Sequence, residues 1–212
     1  MSDQLEKIVN RIFEKIYEQL KKIGYVEIEA SGRHVHLSKD VIDALFGKDY
    51  KLTKIKELSQ PGQFVSKERV TLKGPKGQLQ NVVILGPERE KSQIEVSKTD
   101  ANILGIKAPL KESGKIQGTP GLEIAANGKN LTLDEGVLVA DRHIHMSMED
   151  AKNQSFEDGD RVDVEVQTDR PIIFKNVKLR VSENSETAMH IDYDEANACN
   201  LSGRMLGLIV KK

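Results

Sequence analysis

One cysteine, Cys199, in 212 residues excludes an internal disulfide and any cysteine-rich zinc module. Tryptophan is absent and aromatic residues make up 4% of the chain, which leaves little for stacking nucleobases. Neither sign of charge dominates: 32 Lys and Arg stand against 33 Asp and Glu, for a net charge of −1. The chain therefore lacks the basic stripe that duplex nucleic acid requires, and no nucleic-acid partner is expected. No run approaches the roughly 20 apolar residues that span a bilayer. Met1-Ser2-Asp3-Gln4 leads into charged residues rather than a signal-peptide core. A cytoplasmic protein with no membrane association is the expectation. At 23.7 kDa, with 38% hydrophobic and 31% charged residues, the chain has material for one generous globular domain or two compact ones.

Histidine is also scarce, and its placement is informative. Of the five, four lie in two near-copies of one hexapeptide, Arg33-His34-Val35-His36-Leu37-Ser38 and Arg142-His143-Ile144-His145-Met146-Ser147. The fifth, His190, sits in Ala188-Met189-His190-Ile191-Asp192. His-x-His on an extended strand puts both rings on one face, because side chains alternate with period two. Imidazole is the commonest metal ligand near neutral pH. Two such forks and a fifth ring exceed what one tetrahedral ion needs, so the pattern points to two metals. Each fork runs into Ser and an acidic first turn, Ser38-Lys39-Asp40 and Ser147-Met148-Glu149-Asp150, which reads as strand, ligand fork, then capped helix. On that reading Asp40 and Glu149 serve helix starts and point away from the metals.

Along the chain, Leu5, Ile8, Val9, Ile12, Phe13, Ile16, Tyr17, Leu20 and Ile23 recur at steps of three and four, one apolar stripe on a helix over residues 3–22. It packs on its own domain or docks a partner. After Gly24 the period changes to two. Tyr25-Val26-Glu27-Ile28-Glu29-Ala30 alternates as a strand, and Gly74-Pro75-Lys76-Gly77 and Asn127-Gly128 read as hairpin turns between further strands. Arg161-Val162-Asp163-Val164-Glu165-Val166 alternates cleanly. Short strands at close spacing without long helical crossovers predict a mainly β chain: two small β-barrels with short capping α-helices, plus the N-terminal amphipathic helix.

Other residues are less distinctive. Alternation in Ser92-Gln93-Ile94-Glu95-Val96-Ser97 puts Gln93, Glu95 and Ser97 on one face, but Glu95 is one of 33 acidic residues and reads as a solvated strand face. Arg89 in Gly86-Pro87-Glu88-Arg89 is by default a surface arginine and by chemistry a phosphate clamp. Asp192-Tyr193-Asp194-Glu195 resembles a capping box just after His190, which would let that ring face a metal and an anion together. Cys199 lacks a diagnostic histidine spacing for an acyl-carrying nucleophile.

These segments together resemble the PduL-type phosphate propanoyltransferases (phosphotransacylases). The resemblance runs from about residue 25 through Ser31 to Ser38, Gly86-Pro87-Glu88-Arg89, Gln93 to Ser97, Thr99-Asp100-Ala101, Gly136 to Met146 and His190 to Ala198. It implies two β-barrels, one made of residues 24–32 with 141–212 and one of residues 33–140, after an N-terminal helix at 1–23. It implies two Zn2+ ions between them, held by His34, His36, Glu95, His143, His145 and His190. It places Arg89 as the phosphate-binding catalytic arginine, and Ser31, Lys56 and Asn197 as contacts for coenzyme A, which is substrate or product. The implied reaction joins acyl-CoA (propanoyl- or acetyl-CoA) and phosphate to give acyl phosphate and CoA, as in propanediol degradation. Members often enter bacterial microcompartments through an N-terminal amphipathic peptide, so residues 3–22 are read as a shell-docking, self-association or fold-integral helix.

The main alternative is a cupin-like metal-dependent oxygenase, because His143-Ile144-His145 followed by Glu149 formally fits that ligand spacing. A non-catalytic, metal-stabilised scaffold is a second. A hydrolase on a (β/α)-barrel is excluded by length and by the lack of helical crossovers.

Overall fold

Period-two alternation builds most of this chain into strands. The computed structural model describes residues 3–210. In chain order the first elements are α1 (Asp3–Lys21), β1 (Tyr25–Ala30), β2 (His34–His36), α2 (Lys39–Phe46), β3 (Lys54–Glu57), β4 (Phe64–Lys73) and β5 (Gln78–Gly86). Then come β6 (Gln93–Glu95), α3 (Lys98–Leu104), β7 (Leu110–Lys111), β8 (Leu122–Ala126), β9 (Lys129–Leu133) and β10 (Val137–Ala140). The chain continues with β11 (His143–Ser147), α4 (Met148–Gln154), β12 (Arg161–Val166), β13 (Ile172–Ser182), β14 (Ala188–Ile191), α5 (Tyr193–Ala198) and β15 (Met205–Val210). No helix among the described residues is long and apolar enough to cross a membrane.

The chain divides into two compact units. One comprises Met1–Glu29, Arg142–His190 and Asn197–Lys212; the other comprises Ala30–Asp141 and Ile191–Ala196. In the first, six strands close into a barrel in the order β1-β14-β11-β13-β12-β15. Val162, Val164 and Val166 of β12 are buried while the residues between them are not, as period two requires. Ile144 and Met146 are fully buried, which leaves His143 and His145 to the opposite face of β11. Each such aliphatic side chain contributes about 1.5–3 kcal/mol by burial.

Helix α1 is tied to the barrel by its C-terminal half. The buried Tyr17 hydroxyl accepts from Glu27 N at 2.9 Å and donates to Thr187 O at 3.2 Å. Arg204 lies over the Phe13 ring at 3.9 Å and pairs with Glu14 and Glu27. Leu5, Ile8, Val9, Ile12 and Ile16 of the same stripe are exposed.

The second unit is a nine-stranded sheet in the order β7-β10-β6-β2-β5-β4-β8-β9, with β3 on β4. Its core gathers Val35, Ile84, Ile94, Leu72 and Ile124 from the strands, with Leu45 of α2 and Leu104 of α3 packed on them. The β8–β9 turn uses Asn127 (φ 50°) and Gly128 (φ 74°), the two left-handed residues that a two-residue hairpin demands. The mainly β class with short helices therefore holds. One β unit is a closed barrel, and the other is open, with β7 and β9 at its ends.

Candidate functional site

Register brings the first set of site residues together. β2 and β6 run antiparallel with His34 opposite Glu95, Val35 opposite Ile94 and His36 opposite Gln93. Val35 and Ile94 point into the core at 0% exposure, so His34, His36, Gln93 and Glu95 share the other face. That face is buried as well. Glu95 is 8% exposed, which corrects the sequence-based reading of a solvated strand face: the sheet continues on both sides of β6, through β2 and β10, and little solvent reaches it.

Local bonds hold the strands in place. The Arg33 guanidinium forks onto the buried Asp100 carboxylate, Nε at 3.1 Å and Nη2 at 2.9 Å. Asp100 also closes a capping box with Ser97 at the start of α3, so the residue before β2 is clamped to the helix that follows β6. His34 Nδ1 lies 2.8 Å from Gly32 O; a carbonyl accepts only, so Nδ1 carries the proton and Nε2 keeps its lone pair. The two hexapeptides differ downstream. Ser147 caps α4 by accepting from Asp150 N, as expected. Ser38 makes no side-chain cap bond, because its hydroxyl pairs with Ser92 Oγ at 3.1 Å.

The electrostatics favour an anionic oxygen at Glu95 and a neutral ring at His36. Burial alone would raise the Glu95 carboxyl, but His34, His36 and the Ser113 hydroxyl hold it well below its ordinary value. For His34, burial pulls down and the charge of the neighbouring Glu95 outweighs it, leaving its pKa raised. For His36, burial and then the His34 and Arg89 charges push the pKa down to about 2. His36 Nδ1 is buried with no hydrogen-bond partner.

The second set forms on the barrel. His143 and His145 lie two apart on β11, and β14 sets His190 directly opposite His143. Their ring centroids are 4.7–5.5 Å apart, and His143 Nε2 lies 3.1 Å from His145 Nε2. His190 is followed by the expected capping box, Asp192 with Glu195, at the start of α5. Its Nε2 is 3.0 Å from Glu29 Oε2.

Both sets fit a metal ion by donor type and spacing. Within each of His34/His36/Glu95 and His143/His145/His190, one ligand atom per residue lies within 4.8 Å of the others. Two ligands on one tetrahedral zinc stand roughly 3.3–3.5 Å apart; His34 Nε2 and Glu95 Oε2 are separated by 3.6 Å. The ionised buried carboxylate of Glu95 is a group that a bound cation would compensate.

Arg89 is fixed by its backbone, whose N–H donates to Leu37 O at 2.9 Å. It lines, with His36, Pro61, Gln63 and Pro87, a cavity of about 270 Å³. Of the three residues expected to contact coenzyme A, Ser31 and Lys56 lie in the second unit and Asn197 in the barrel unit. Ser31 is half-buried, with its N–H on Ile191 O, whereas Lys56 and Asn197 are exposed. Cys199 is fully buried, a poor setting for a nucleophile. Glu149 is exposed in the first turn of α4 and belongs to neither triad, so the spacing that allowed a cupin-like oxygenase has no counterpart in space.

Sequence reading missed three neighbours of the triads. Gln93 was legible through its alternation with Glu95. Ser113 reaches Glu95 from a loop with no periodic signal, and Glu29 reaches His190 through barrel closure.

Comparison with known proteins adds a further finding. A family model described as phosphate propanoyltransferase matches residues 27–202. A phosphate propanoyltransferase of Enterococcus faecalis is 54% identical over 209 residues, covering 99% of this chain and 98% of that one. One of Clostridioides difficile is 49% identical over 208 residues, covering 98% and 100%. One of Thermotoga maritima is 44% identical over 198 residues, covering 93% and 94%.

Proposed function

Because the chain belongs to the phosphate propanoyltransferase family, we propose that it transfers a short acyl group, propanoyl or acetyl, between coenzyme A and phosphate, with a zinc ion held at each triad. The chain is an acyltransferase, and a cupin-like oxygenase is set aside. The observation that carries the reading is the shared cavity of His36 and Arg89, which supports a metal-type donor and an anion-binding cation acting on one small substrate.

In this reading a phosphate oxygen attacks the thioester carbonyl carbon, the C–S bond breaks, and the sulfur departs with its electron pair and takes up a proton as CoA. His34, His36 and Glu95 would hold one ion and His143, His145 and His190 the other. Bound there, zinc supplies Lewis acidity to carbonyl or phosphoryl oxygen and favours thiolate over thiol. Arg89 presents a planar fork to phosphate and orients its free oxygen; alignment of this kind contributes up to roughly 7–11 kcal/mol in the best intramolecular cases. Burial of the triad on the β2–β6 face keeps competing water from that part of the site. Ser31, Lys56 and Asn197 are proposed to contact coenzyme A. The exposed apolar residues of α1 support its reading as a docking element, for a microcompartment shell or a second copy.

The test is thiol release from acetyl-, propanoyl- and butanoyl-CoA, with and without phosphate. Release that requires phosphate and yields an equal amount of acyl phosphate is expected for the shorter thioesters. Release that ignores phosphate would make the chain a thioesterase and overturn the assignment.

A further inference from the structure

We infer that Gln93 is the positioning residue of the Glu95 carboxylate: it occupies one carboxylate oxygen and thereby leaves the other turned towards His34. The inference rests on the reading that His34, His36 and Glu95 hold a metal ion.

The β2–β6 register arranges four side chains as a square, His34 opposite Glu95 and His36 opposite Gln93. Three corners are metal-ligand types. The fourth is an amide only 1% exposed, and every polar atom of it is engaged. Gln93 Oε1 accepts from Gly114 N at 2.6 Å. Gln93 Nε2 donates to Glu95 Oε1 at 2.6 Å and to Ser113 Oγ at 2.9 Å. The amide has one workable orientation. A backbone N–H only donates and an ionised carboxylate only accepts, so the oxygen must face Gly114 and the nitrogen Glu95.

The consequence falls on Glu95. Its Oε1 receives Gln93 Nε2 and also the Ser113 hydroxyl at 2.7 Å. With two donors on Oε1, the lone pairs left for an ion belong to Oε2, which stands 3.6 Å from His34 Nε2. Gln93 thus favours attachment through one oxygen and holds the carboxylate plane. Its nitrogen, not its oxygen, faces the carboxylate, because the oxygen accepts from Gly114 N. It also joins β6 to the loop around Ser113, so carboxylate and loop move together. Groups that orient a metal ligand from behind typically change metal affinity 10–100-fold when removed.

The experiment is a zinc competition titration of the full chain against a chromophoric chelator, resolving the two equivalents. Wild type, Gln93→Met and His34→Ala are compared, with the apo-protein denaturant midpoint of each. Met keeps the side-chain volume and removes the amide. The expected result is that Gln93→Met weakens, by about 10–100-fold, the same equivalent that His34→Ala abolishes, and leaves the other equivalent unchanged. Unchanged affinity for both equivalents in folded Gln93→Met overturns the inference and leaves the metal reading standing. Equal weakening of both, with a lowered apo midpoint, shows a merely structural residue and also overturns it. A wild-type chain with no equivalent sensitive to His34→Ala removes the metal reading and the inference together.

Discussion

His34 and Glu95 face each other across β2 and β6, with Nε2 3.6 Å from Oε2. That gap is too long for a hydrogen bond and close to the spacing of two ligands on one zinc ion. The opposite nitrogen of His34 is committed to Gly32 O, and Oε1 of Glu95 to Gln93 and Ser113. Each residue therefore turns its remaining lone pair towards the other. A buried carboxylate and imidazole meant only for each other would close to about 2.7–2.9 Å.

Arg89 is held by its backbone and lines the same cavity as His36. Arg89→Ala removes a fork that contributes about 1.5–3 kcal/mol as a charge-assisted contact. A fall of about 10- to 100-fold in kcat/KM for phosphate is expected, with zinc content unchanged. Arg89→Lys restores charge but not geometry, and recovers only part of the loss. Initial rates against phosphate concentration check this, and an unaltered kcat/KM for phosphate in both variants contradicts it.

Gly32 is confined by the Tyr193 ring: a Cβ at this position would lie 2.7 Å from Tyr193 Cζ. Gly32→Ala must displace the ring or shift the carbonyl that orients His34, at a cost of about 1–3 kcal/mol. Tyr193 is exposed, so Gly32→Ala/Tyr193→Ala removes the conflict at little further cost. Denaturant midpoints of the four chains should show strong non-additivity, with the double variant more stable than additivity allows. Additive effects contradict the clash.

Tyr17 links α1 to the barrel through a buried hydroxyl with two partners. Tyr17→Phe leaves Glu27 N and Thr187 O unpaired and should cost about 1–3 kcal/mol in urea unfolding, while phosphate-dependent turnover of the folded chain is kept. Burial raises the phenol pKa above its ordinary value of 10.0. The folded state therefore holds the proton more tightly than the unfolded chain. This stabilisation is fully present below pH 10.0 and is lost as pH rises through the higher folded value. The stability difference between wild type and Tyr17→Phe should accordingly shrink above pH 10.0; a constant difference contradicts the burial argument.

The histidine forks were legible because strand alternation acts over two residues, and both forks fall on strands with buried Val35 or Ile144 between the rings. The Asn127-Gly128 turn and the capping box after His190 were legible for the same local reason. Glu95 was not, since its environment depends on β10 and β2 pairing on either side of it. Closure of one sheet and not the other is set by β15 returning to β1 across most of the chain length. Ile191–Ala196 clusters with the second unit immediately after His190, which clusters with the first; nothing in the local pattern marks that change. Long-range pairing decides these features, and period and composition carry only local information.

Native mass spectrometry of the intact zinc-loaded chain addresses the two triads most directly. Two zinc ions per chain are expected, falling to one in His36→Ala and to one in His145→Ala. A metal-replete wild type that carries fewer than two, or keeps two when either histidine is removed, would contradict the assignment of one ion to each triad.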